Sequence, residues 1–127
     1  MKSLKSLVLA LFVISGNAIA AGPYDGVWTV SYYGSEAAYA SIHERDGTLL
    51  IALLDASTSY EWEALMGTRS NTTATINTLV SDVFATFSVS FSTTTTGTVT
   101  QLTCFPKSLD TYCAFPNGAV LNINKLF

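Results

Sequence analysis

The sequence predicts an all-β protein: an up-and-down meander of about eight short antiparallel strands, closed as a small barrel, with a two-sheet sandwich as the alternative. Three observations carry this. In residues 82–92, Val83, Ala85, Phe87, Val89 and Phe91 share one face while Thr86, Ser88 and Ser90 share the other, and a period of two marks a half-buried strand. Asp46-Gly47 stands between two strand-like runs; such a pair favours a two-residue type I′ hairpin, whose central residues both need positive φ. Charged residues make up only 12% of the chain while Thr and Ser abound. Thr is β-branched and favours extended backbone, and its hydroxyl keeps a strand face wettable. Closure is preferred over an open sheet because it removes edges that so few charges could protect.

Residues 1–20 stand apart from the domain that follows, 21–127. Lys2 and Lys5 precede an apolar run, and Ala18-Ile19-Ala20 has the small-x-small form that signal peptidase cuts. This predicts a secretory signal peptide with cleavage after Ala20, and a periplasmic or secreted protein. The apolar run is short for a membrane span, so no stable span is expected.

The strands follow in order. Residues 24–33 form the first run, ended by Gly34-Ser35-Glu36, and 37–45 the second, ended by Asp46-Gly47. Residues 48–54 form the third, turned back by Asp55-Ala56-Ser57. The fourth, 59–66, sets Tyr60, Trp62, Ala64 and Met66 on one face and Ser59, Glu61 and Glu63 on the other, which predicts that the aromatic face is inside. A Thr-rich fifth run, 72–79, precedes the sixth, 82–92. The seventh, 98–105, leads into a loop, and Pro116-Asn117-Gly118 introduces the last run, 119–127.

The third run breaks the alternation, because residues 49–54 are apolar on both faces. One side of such a strand needs a cover: a loop of the same chain, a second copy, or lipid. Leu49, Ile51 and Leu53 are the candidate interface residues for a homo-oligomer.

Cys104 and Cys113 are the two cysteines. An even count in an exported chain predicts a disulfide, closing a short loop and contributing about 2–3 kcal/mol through loop entropy. Without Lys2 and Lys5, Arg45, Arg69, Lys107 and Lys125 face nine acidic residues. This acidic balance argues against a nucleic-acid partner, which needs clustered Lys and Arg.

Nothing points to catalysis. His43 is the single histidine, and its neighbour Glu44 falls on the opposite strand face, so the two cannot easily share a metal, and no cofactor is implied. Glu61 and Glu63 share a face and could act as an acid–base pair, but their place opposite Trp62 predicts a solvated surface. No nucleophile elbow, phosphate loop or Cys-His pair occurs, so no enzyme is expected. Asn71-Thr72-Thr73 matches an N-glycosylation acceptor; the short signal reads as bacterial, in which case the match has no consequence.

Gly26-Val27-Trp28 resembles the Gly-x-Trp opening of lipocalins and related calycin barrels. That resemblance implies a Trp packed across the closed end of a barrel whose open end binds a small apolar ligand. Residues 39–52 together with 62–67 are similar to a group of small exported bacterial proteins, which implies export and β-structure. The expected function is a binding module for a small apolar ligand or a protein partner, with Trp28, Tyr39, Tyr60, Trp62, Phe87 and Phe91 as candidate ligand contacts. A self-associating envelope or extracellular protein is the alternative. A minimal outer-membrane barrel is the third reading, from Leu121, Ile123 and the terminal Phe127.

Overall fold

A computed structural model describes residues 21–56 and 61–127. Eight strands run in chain order: β1 Gly26–Tyr32, β2 Ser35–Arg45, β3 Thr48–Asp55, β4 Trp62–Ser70, β5 Thr73–Val80, β6 Val83–Phe91, β7 Thr96–Pro106 and β8 Val120–Lys125. Each pairs antiparallel with the next, and β1 pairs with β8, so the sheet closes into a barrel. The all-β meander expected from the sequence is the fold observed.

Two of the hairpins have the same chemistry. Asp46 and Gly47 take φ of 51° and 77°, and Tyr33 and Gly34 take 49° and 80°. These left-handed pairs make two-residue turns between Arg45 and Thr48 and between Tyr32 and Ser35, matching the right-handed twist of the strands they join. At the foot of β4, Gly67 allows a close approach of β5. A Cβ there would collide with the Thr75 carbonyl and lie 2.8 Å from the Ile76 Cα.

The strand ends differ from expectation at two places. Tyr24 precedes β1 and is buried beneath the barrel instead of extending the strand. The fourth run, read from the sequence as ending at 66, continues as β4 to Ser70, leaving Asn71 at φ 54° and Thr72 to reverse the chain. Ser59 and Tyr60 lie outside the described residues. Extra residues shift the register between Ala64 and Leu65 and between Thr86 and Phe87; such bulges bend the strands around a small barrel.

The core fills the end where β1 begins. Trp28, Leu49, Ile76, Val89, Phe91 and Leu121 are buried there, from five different strands. On β6 the predicted face is the inner one: Val83, Ala85, Phe87, Val89 and Phe91 all border the interior. On β4 the expectation is reversed. Leu65 is buried and Glu61 and Glu63 border the interior, while Trp62 stands outside, 65% exposed. The reason lies in the neighbours. Trp62 pairs with Leu54 and Met66 with Leu50, so the outward apolar residues of β3 and β4 cover one another. Leu49 and Ile51 are inside the barrel and Leu53 borders its cavity. The exposed side of the apolar run is therefore Leu50, Ala52 and Leu54, not the candidate interface residues.

Candidate binding cavity

One end of the barrel is sealed by the segment before β1. The Trp28 indole donates through Nε1 to the Tyr24 carbonyl at 2.9 Å. The Tyr24 ring stacks on Phe91, and the Arg69 guanidinium lies 5.3 Å from the centre of the Tyr24 ring. Arg69 forks onto Glu44, with Nε at 2.9 Å from both carboxylate oxygens and Nη2 at 2.5 Å from Oε1. The Glu44 side chain is nearly buried, and its charge is matched by this bidentate pair. Accepting from Arg69 raises the guanidinium's already high pKa. Asp25 accepts the Glu44 amide at 2.7 Å, tying the same segment to β2. Gly26, one residue before Val27 on β1, starts the strand that carries Trp28 to this end, and Trp28 is 0% exposed.

Above this sealed layer lies a cavity of about 790 Å³, within the size range of small-molecule sites. It exists because the inward positions shrink toward the other end. Ala38 on β2, Thr78 on β5 and Ala85 on β6 stand where larger residues would fill the barrel. The accessible apolar walls are Leu53, Phe87, Val99 and Phe115, all partly buried against the core. Trp28 and Phe91 close the cavity from below with almost none of their surface exposed.

Gln101, on β7, is the buried polar residue of this wall, 3% exposed. Its Nε2 donates to the Phe115 carbonyl at 2.6 Å and lies 3.4 Å from Asn117 Oδ1. Since a carbonyl oxygen can only accept, this fixes the amide's orientation. No fully buried side-chain oxygen or nitrogen among the described residues lacks a partner. Oε1, which accepts nothing from a described residue, therefore opens on the cavity.

The open end is acidic. Glu36, Asp55, Glu61, Glu63, Asp82 and Asp110 all border the cavity there, six of the nine carboxylates of the chain. Glu63 accepts from Ser81 Oγ at 2.5 Å. Glu36 accepts from the Tyr39 hydroxyl at 2.8 Å, and that hydrogen bond holds the Tyr39 phenol above its ordinary pKa. Burial, with a hydrogen bond to Tyr33, raises Tyr32 similarly. Lys107 is the one cation at this end among the described residues, and its ammonium sits 4.6 Å over the outward Phe84 ring. Arg45, Arg69 and Lys125 are at the sealed end.

The Cys104–Cys113 disulfide forms, with Cα atoms 6.1 Å apart. It anchors the loop that brings Asp110, Thr111 and Tyr112 to the mouth. The residues singled out from sequence thus separate. Phe87 is a wall of the cavity, and Trp28 and Phe91 its floor. Tyr39 and Trp62 are on the outside, flanking a shallow groove with Leu54. Tyr60 lies outside the described residues. His43 is exposed on the outer face beside Ser41, 3.1 Å from its hydroxyl. The acidic mouth and Gln101 were not singled out as a site, although Glu61 and Glu63 were the visible signal. No protein-family model, curated protein or solved structure matches the chain.

Proposed function

We propose that this is an exported, non-catalytic β-barrel that holds a small, largely apolar ligand inside its open end. The cavity of about 790 Å³ above a sealed apolar floor carries this reading. The disulfide fits an oxidising compartment, and the Gly26-Val27-Trp28 resemblance to lipocalins carries the same expectation of a ligand. The outer surface supports a barrel that works in water. A membrane-spanning barrel has an apolar outside and a polar lumen. Here the inside is apolar, and Thr75, Asn77, Asn122 and Asn124 are exposed on β5 and β8.

The test is titration with N-phenyl-1-naphthylamine, a neutral apolar fluorophore. The expected result is saturable binding of one dye per barrel, weakened in Ala38→Phe, which narrows the cavity, while the variant keeps its circular dichroism spectrum. Absence of saturable binding, or binding untouched by Ala38→Phe, overturns the reading.

A second reading, self-association, is favoured by Leu50, Leu54, Trp62 and Met66, exposed side by side on β3 and β4. Sedimentation over a range of concentrations tests it, with Leu54→Lys expected to abolish any dimer.

A further inference from the structure

We infer that the ligand is a cationic amphiphile: an apolar body lodged in the barrel with a protonated amine at or near the mouth. This rests on the cavity being a ligand site. Two independent features select the ligand's chemistry. The first is charge. Six carboxylates border the cavity at its open end, and the single described cation there, Lys107, is turned outward onto Phe84. An apolar wall beneath a ring of one sign focuses the field at the opening, raising the local concentration of the opposite charge. An anionic ligand such as a fatty acid would meet repulsion on entry, and the one described cation at that end, Lys107, is turned away from the cavity onto Phe84.

The second feature is Gln101. Its orientation is fixed by donation to Phe115, so what it offers the cavity is a carbonyl oxygen, an acceptor for an N–H or O–H donor. That oxygen opens on the cavity, so a ligand that carries such a donor can bond to it there. A metal ion is the other cation to consider, but no three carboxylates among the described residues converge closely enough to hold one. The charges are spread around the rim, which suits an organic cation with an apolar tail.

The experiment compares three ligands that share one chain and differ in the head: decylamine, decanol and decanoate. Each displaces N-phenyl-1-naphthylamine from the protein at neutral pH and low salt. Decylammonium is expected to bind at least about tenfold more tightly than decanol, and decanoate most weakly. Added salt narrows the gap, because the mouth is open to solvent. Glu61→Gln, Asp82→Asn and Asp110→Asn alter exposed side chains, and the triple variant is expected to bring decylamine to within about threefold of decanol while binding of the neutral dye is unchanged.

If the dye binds in the cavity but decanol or decanoate equals decylammonium, the cationic assignment is overturned and the cavity reading stands. If the dye and all three ligands fail to bind, both fall. If the preference survives the triple variant, the mouth carboxylates are not its source and the inference fails.

Discussion

Tyr24 lies flat against Phe91, with ring centroids 3.7 Å apart and planes 8° from parallel. The contact joins the segment before β1 to the end of β6, and so lids the core. Tyr24→Ala removes this stack together with the Arg69 cation–π contact, and opens space beside Trp28. A loss of about 2–4 kcal/mol in unfolding free energy is expected, measured by urea denaturation. A change below about 1 kcal/mol would mean that the core is complete without its lid.

Arg69 matches the nearly buried Glu44 carboxylate. Arg69→Met leaves that carboxylate uncompensated, and a cost of about 2–4 kcal/mol is expected. Adding Glu44→Gln to the same chain recovers part of the loss. The coupling in this double-mutant cycle is the measurement, and additive effects would contradict the pairing.

Tyr33 takes a left-handed conformation that bulky side chains disfavour, and its ring is exposed. Tyr33→Asn converts the turn to Asn-Gly, the pair that type I′ geometry prefers. A gain of about 0.5–1 kcal/mol follows from the relief of that strain, read as a higher thermal midpoint. An unchanged or lower midpoint would show that Tyr33's contact with Tyr32, 4.4 Å between centroids, outweighs the strain.

The Tyr39 phenol donates to Glu36 and deprotonates above its ordinary pKa. A group whose folded pKa is raised stabilises the fold below its unfolded pKa, and that contribution fades as pH rises through the folded value. Difference absorbance between the wild type and Tyr39→Phe isolates the titration. Glu36→Gln removes the negative charge and is expected to move the transition to lower pH.

How much of this was legible in the sequence depended on whether a strand's two faces differ. On β6, Val83, Ala85, Phe87, Val89 and Phe91 oppose hydroxyl residues, and the inner face could be read directly. On β4, Trp62 and Met66 compete with Leu65 on the other side. The competition is decided by partners remote in sequence: Glu44 waiting for Arg69, Ile76 tolerating only Gly67, and Leu50 and Leu54 offering an outer surface to Met66 and Trp62. Local periodicity holds none of these. The residues that make room for the cavity were illegible for a different reason. Ala38 and Ala85 read as ordinary apolar strand residues, and only the barrel's circumference turns their small size into empty space.

The pairing of β1 with β8 sets the order in which the molecule can be completed. The Thr29 hydroxyl donates to the Asn124 carbonyl across 95 positions of chain, whereas every other strand pair joins neighbours in sequence. Hairpins such as β2–β3 can therefore form early, but the ring cannot shut until its last strand has been made. Contacts this distant are slow to form. A chain emerging from the ribosome stays an open sheet, with β1 unpaired on one edge, until residues 120–125 arrive. Until then the cavity, with its acidic mouth, does not exist: the site is a product of ring closure and not of any one hairpin.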